Sequence, residues 1–230
     1  MTTEEQPITS EQMYSIEDNG HTIFGMKKLL MMENAGHGLA DFILSEKGPS
    51  LAGKKIISLC GTGNNGGDAM VASRHLSAQY GIEITVVLLG DTKNIKTEET
   101  AVNWSIIRKM KSIEILTGPH VLELAKNKIS DSDIIIDGVF GTGIKGEIRE
   151  PFSSAIDLIN SSKAYVVAVD IPSGLDPNYG TFHQKCVKAN ATVTFHRIKK
   201  GLTAKKDYTG KVHLEKIGIP VEAEQGVVLL

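Results

Sequence analysis

The apolar runs of this chain are continuous rather than alternating, and each of the best ones ends in a polar, glycine-containing loop. "KKIISLC" (54–60), "IEITVVLLG" (82–90), the run "DIIID" closing near Asp137 and "AYVVAVD" closing near Asp170 have almost no polar face. Such strands need cover on both sides, which a parallel sheet with helices on each face supplies and a one-sided antiparallel sheet does not. Helical patterns separate them, at about 26–44, from "GGDAMVASRHL" to a stop at Gly81, at 97–110, 121–128 and 153–162. A short strand "SIEIL" (112–116) and two mixed-pattern strands in the tail, "ATVTFH" and "GKVHLEKIGIP", complete the set. The expected fold is a three-layer α/β/α, Rossmann-like sandwich with a mostly parallel central sheet.

The amino-terminal segment adds a helical extension. "TSEQ" (9–12) reads as a capping box, and "DNG" (18–20) reads as the break that ends its helix. Residues 1–8 are expected to be a flexible tail. With 230 residues and no repeat or linker, one domain is expected. The composition, 41% hydrophobic and 23% charged with net charge −2, is that of an ordinary globular core and argues against a dedicated nucleic-acid binder. Two cysteines, Cys60 and Cys186, are too few for a disulfide framework or a zinc site, and Cys60 is expected to pack as a small hydrophobe. Neither a secretory signal nor an apolar run of about 18 residues is present, so the expected location is cytoplasmic.

Parallel strands present their carboxyl ends on one edge, where α/β sheets bind ligands. Three polar loops fall there: "GTGNNGGD" (61–68), "DGVFGTGIKGE" (137–147) and "DIPSGLD" (170–176). The first is a weak dinucleotide fingerprint, because the acidic residue expected about 20 positions on has only Asp91 as a candidate, about ten positions too late. Its glycines still open a helix whose N–H groups can hold an anion, and Gly141, Thr142 and Gly143 could form a second such nest. Asn65, Asp137 and Ser173 offer side-chain oxygens; one carboxylate with neutral oxygens suits a weakly hydrated monovalent cation, while Asn64 and Asn65 could equally just shape the turn. Asp170, delivered by an apolar strand, reads as a general acid–base or as the cap of "IPSG". Asp68 reads as a helix residue favoured by the dipole, and His75, His196 and the pairs Lys199–Lys200 and Lys205–Lys206 read as helix-face or solvated residues.

Taken together, "LMMENAG", "GNNGGDAMVASRHL", "DGVFGTGIKGE" and "VDIPSGLD" resemble the NAD(P)H-hydrate epimerases, the YjeF N-terminal domain family, over roughly residues 9–212. The resemblance implies an isomerase that interconverts the R and S forms of hydrated NADH and NADPH at nicotinamide C6. It implies that Asn64, Asn65, Gly66, Gly67 and Asp68, together with Gly141, Thr142, Gly143, Ile144, Lys145, Gly146 and Glu147, bind this substrate. Asp170 contacts it and is the expected catalytic carboxylate, and Asn65, Asp137 and Ser173 hold one potassium ion per subunit. Relatives commonly read "GGDG" where this chain has Ala69, and "DALFGTG" where it has Gly138 and Val139. A homodimer and a separate NAD(P)H-hydrate dehydratase are the expected partners.

Two other functions compete. A non-catalytic nucleotide- or RNA-binding module of the same fold would be expected to lose the acidic and cation-binding residues, which this chain keeps. An NAD(P)-dependent oxidoreductase lacks here both the ribose carboxylate and a Tyr/Lys or His set for hydride transfer.

Overall fold

Thr9 opens the first helix as its residue type predicts. Its Oγ1 accepts from the Gln12 N–H at 3.2 Å while Gln12 Oε1 accepts from the Thr9 N–H at 2.9 Å. The resulting helix, α1 (Ser10–Thr22), does not stop at 18–20 as the sequence suggested. Gly20 packs close to Met31 and Ile219, and the Asn19 amide donates to the Ala223 carbonyl at 2.9 Å. Tertiary contacts thus hold two residues that by themselves favour a turn. The computed structural model describes residues 5–79, 81–143, 147–182 and 184–228. Ile8 does not behave as tail: it is buried and bonds to Ile198 and Lys200 in a parallel bridge.

Beyond α2 (Lys28–Lys47), strands and helices alternate: β1 (Lys55–Cys60), α3 (Asn64–Leu76), β2 (Glu83–Leu88), α4 (Glu98–Ile107), β3 (Ile113–Leu116), α5 (Val121–Asp131), β4 (Ile134–Gly138), α6 (Phe152–Ser161) and β5 (Tyr165–Val169). Then come β6 (Ala191–Phe195), a one-turn α7 (Lys206–Thr209) and β7 (Lys211–Glu215). The seven strands lie in the order β3-β2-β1-β4-β5-β6-β7, and every pairing is parallel.

Alternate residues of each central strand feed two separate cores. Ile56, Ile84, Ile134, Ile136, Val167 and Val169 join α1–α4 residues such as Ile16, Leu39, Met70 and Trp104 on one face. Ile57, Leu59, Val87, Ile135, Val166 and Ala168 meet Ala125, Ile129, Ala155 and Ile156 of α5 and α6 on the other. This double cover is why these strands read as unbroken apolar runs. The mixed pattern of β7 has the complementary cause, since it is an edge strand and only half-buried. Cys60 and Cys186 are both buried and unpaired; burial pushes the Cys60 thiol up and the Cys186 thiol up to about 12, so both are packing residues.

The sheet order reverses between β1 and β4. Successive strands run outward from β1 on one side and from β4 on the other, leaving a crevice beyond their carboxyl ends.

Candidate active site

That crevice is a cleft of about 1130 Å³. It is lined by residues of the β1–α3 turn, the loop after β4, Asp170, Lys199 and, from α1, Tyr14 and Glu17. Two glycines make the turn possible. A Cβ on Gly61 would lie 2.1 Å from the Val139 carbonyl oxygen, and one on Gly66 would lie 2.0 Å from the Gly61 carbonyl oxygen. The backbone therefore folds back on itself where α3 begins, which brings the amino end of that helix to the cleft wall. Asn64, Asn65, Gly66 and Asp68 line the cleft, as do Gly141, Thr142, Gly143 and Glu147. Gly67 does not: it faces away, against Met32 and Thr100, where no Cβ would fit. Ile144, Lys145 and Gly146 lie outside the described residues.

Asp170 sits at φ 62°, a left-handed conformation uncommon for a non-glycine residue and shared here by His120 and His196. The cause is on its other side. Its N–H bonds Val193 O at 2.8 Å, and its Oδ1 accepts from Lys199 Nζ at 2.5 Å, Thr194 Oγ1 at 3.0 Å and the Phe195 N–H at 3.2 Å. Lys199 is 1% exposed and also donates to Thr194 Oγ1 at 3.2 Å and Phe195 O at 2.8 Å, so all three ammonium donors are used. Oδ2 of Asp170 has no hydrogen-bond partner among the described residues. Lys199 overturns the solvated reading of its dipeptide. Although 29 positions from Asp170 in sequence, the residue reaches it because β6 pairs with β5.

Asp137 is the second-last residue of β4 and is completely buried, as is Ser173. Its Oδ1 accepts from Ser173 Oγ at 2.6 Å and its Oδ2 from the Ser173 N–H at 2.8 Å. No lysine, arginine or histidine side chain pairs with it among the described residues. Burial accordingly raises its carboxyl to about 6. Beside it, the Asn65 amide lies between the Phe140 carbonyl at 3.1 Å and the Val169 carbonyl at 2.5 Å. A Cβ on Gly141 would lie 2.2 Å from Asn65 Oδ1, so a bare glycine makes room for the amide. A buried carboxylate without a counter-charge among the described residues, next to a serine hydroxyl that also reaches the Phe140 carbonyl, is a donor set compatible with a weakly hydrated monovalent cation.

Asp68 accepts no hydrogen bond among the described residues. It is buried at the cleft wall, and burial together with Asp170 and Glu17 raises its carboxyl well above the usual range. It is thus a cleft residue rather than a dipole partner. Sequence reasoning missed Glu17, Thr194 and Tyr14, whose hydroxyl lies 2.7 Å from Thr142 Oγ1 and ties α1 to the loop after β4. His196 is likewise buried, with Nε2 3.0 Å from Glu224 Oε1, while His75 and Arg74 both pair with Glu33. Ala69 is buried against the end of β4, and a Cβ on Gly138 would lie 2.7 Å from its methyl. The small residues at 69 and 138 thus meet across one contact, where only one of the two carries a methyl.

Fold and site together define a doubly wound α/β domain with a glycine-built turn and an acid–lysine pair in the cleft at its carboxyl edge. The chain belongs to the family described as "YjeF-related protein N-terminus", whose model matches residues 28–201. It is 48% identical over 221 residues to the "NAD(P)H-hydrate epimerase" of Nitrosopumilus maritimus, covering 96% of this chain and 99% of that protein. The protein of the same name from Cenarchaeum symbiosum is 50% identical over 222 residues, again covering 96% and 99%. The "Bifunctional NAD(P)H-hydrate repair enzyme Nnr" of Pyrobaculum aerophilum is 42% identical over 223 residues, 95% of this chain but 43% of that protein. A crystal structure of the yeast protein YNL200c shares the fold at TM-score 0.75 and 23% identity, covering 89% of this chain and 86% of that one. Among the described residues no helix is long and apolar enough to cross a membrane.

Proposed function

We propose that this chain is an NAD(P)H-hydrate epimerase, an isomerase that interconverts the R and S forms of hydrated NADH and NADPH at nicotinamide C6. The observation that carries this reading is the Asp170–Lys199 pair set in a cleft larger than the ~300–1,000 Å³ of ordinary small-molecule pockets. Relatives of nearly the same length and about half identical in sequence carry that name.

The N1 lone pair of the hydrated ring helps expel the C6 hydroxyl as water, which leaves C6 planar in an iminium. Water returning to the other face inverts the centre; a ring-opened aldehyde is the alternative intermediate. Both routes need proton transfer at the hydroxyl oxygen and negative charge near the developing cation. Asp170 supplies the negative charge and a proton-transfer group through its Oδ2, which accepts no hydrogen bond among the described residues, and Lys199 holds Oδ1 so that the carboxylate keeps one orientation. Asn64, Asn65, Gly66 and Asp68 would bind the dinucleotide from the β1–α3 turn, with Gly67 shaping that turn from behind. Gly141, Thr142, Gly143, Ile144, Lys145, Gly146 and Glu147 would hold it from the loop after β4.

Asn65, Asp137 and Ser173 would hold one potassium ion, whose charge would offset the buried carboxylate and fix the two loops against each other. A homodimer has support in the exposed apolar residues Ile23, Phe24 and Leu30 around the α1–α2 connection. The two unpaired cysteines favour a reducing, cytoplasmic location. We further propose that an NAD(P)H-hydrate dehydratase consumes the product, an activity that the bifunctional relatives would carry in the part this chain does not match.

The test starts from purified R-form hydrated NADH, with spontaneous epimerisation as the blank, and follows the S form by chromatography. Catalysed approach to the R/S equilibrium that Asp170→Asn abolishes is the expected result. No rate above the blank, alongside measurable dinucleotide binding, would make the chain a binding module instead.

A further inference from the structure

We propose that Glu17 is a second proton-transfer carboxyl of this site, protonating the C6 hydroxyl that leaves while Asp170 accepts a proton from the water that returns. The inference rests on the epimerase reading above.

Glu17 and Asp170 line one cleft but are wired oppositely. Oδ1 of Asp170 already accepts three hydrogen bonds, one from an ammonium, an arrangement that suits an acceptor. The Glu17 carboxyl accepts none among the described residues. Lys28, the lysine nearest to it on α2, is 2.7 Å from Asp18 instead. The groups facing Glu17 are Tyr14 and Asp18 on its own helix, Lys28 on α2, Asp68 on α3, Asp170 after β5 and Lys199 after β6. Burial is the largest influence and raises its carboxyl to about 7, with Lys199 opposing and Asp170 reinforcing. Near neutral pH the acid form is therefore well populated. Of the carboxyls in this cleft, Asp170, surrounded by donors, and Glu17, which has none among the described residues, divide naturally into base and acid.

The step balances. The Glu17 O–H proton passes to the C6 hydroxyl oxygen as the C6–O bond breaks, its electron pair leaving with water while the N1 lone pair forms N1=C6. On return, a water oxygen bonds to C6 from the other face, the π pair goes back to N1, and the surplus water proton passes to Asp170. The open cleft lets solvent carry that proton back to Glu17. Asp68 is the competing donor: it is buried where Glu17 is half-buried, its carboxyl is likewise raised, and it too accepts no hydrogen bond among the described residues.

The experiment is the pH profile of initial epimerisation rate for the wild type, Glu17→Gln, Glu17→Asp and Asp68→Asn across about pH 5.5 to 8.5, each variant checked by thermal melting. Wild-type rate should fall as pH rises through about 7. Glu17→Gln should lose that falling limb and at least about 100-fold in turnover, with dinucleotide affinity preserved. Glu17→Asp keeps the acid and should keep the limb at reduced rate, which also guards against a Gln variant that fails to fold. Asp68→Asn should keep the limb whatever its rate. An unchanged rate and limb in Glu17→Gln would overturn the proposal while leaving the epimerase reading intact. Loss of the limb in Asp68→Asn alone would overturn it in favour of Asp68. A wild type no faster than the blank would overturn the epimerase reading and this one with it.

Discussion

Asp137 and Asp170 are brought to the same sheet edge by neighbouring parallel strands, β4 and β5, yet the fold treats them in opposite ways. Asp137 is sealed off, bonded only to Ser173 and to backbone N–H groups, with no cationic side chain among the described residues. Asp170 keeps a little exposure at the cleft, a left-handed backbone and a fully buried lysine on one oxygen. Position at a strand end thus does not define a role; the missing or present counter-charge does. Under the proposed function, the strand-end carboxylate lacking one takes a cation, and the one that has it, with an oxygen to spare, acts on the substrate.

The largest expected effect comes from giving the Asp170 end the deficiency of the Asp137 end. Lys199→Met should leave Asp170 without its charge partner, lowering stability by about 3–5 kcal/mol and turnover by about 10²–10⁴-fold. Urea denaturation and the epimerisation assay read the two effects; a variant as stable and as active as wild type would remove the lysine from the site. The next effect supplies the Asp137 end with its missing charge. Potassium should stabilise the wild type by about 1–3 kcal/mol over sodium, a difference that Asp137→Asn abolishes. Thermal melting in the two salts decides this, and equal melting temperatures would sink the cation proposal.

A contact beside Asp137 sharpens the comparison further. Gly138→Ala should cost about 1–3 kcal/mol, because its methyl would meet Ala69 at 2.7 Å and the Asn65 carbonyl at 2.8 Å. Adding Ala69→Gly should recover part of the loss, and a double-mutant cycle with no coupling would show that the methyl exchange is not compensatory. The most gradual effect concerns pH. Glu17, raised to about 7 from an ordinary 4.5, binds its proton more tightly in the folded chain, so its contribution is full below about pH 4.5 and is lost as pH rises through 7. The urea midpoint should decline over that window by a free energy of at most about 3 kcal/mol, and Glu17→Gln should flatten that decline. A midpoint that rises with pH would reverse the assignment.

Much of the frame was legible before any coordinates. Continuous apolar runs require a doubly covered parallel sheet, a capping box starts α1 where it should, and the three loops of the cleft follow from strand polarity alone. What misled were local signals overridden from afar. "DNG" reads as a break, but Ala223, Met31 and Ile219 hold it in a helix. "KK" reads as solvated, yet Lys199 is among the most deeply buried large side chains. Its pairing with Asp170 spans a strand crossover, and no periodicity marks a contact of that kind.

The sequence by itself determined the layers, the binding edge and the acidic and asparagine residues presented there, because period, strand end and turn chemistry are local properties. Only the tertiary structure decided which carboxylate is paired, which is sealed and which, like Glu17 on α1, arrives from outside the sheet. Charge compensation and burial depend on what chain-distant segments bring to within a few ångströms, and that is settled by packing.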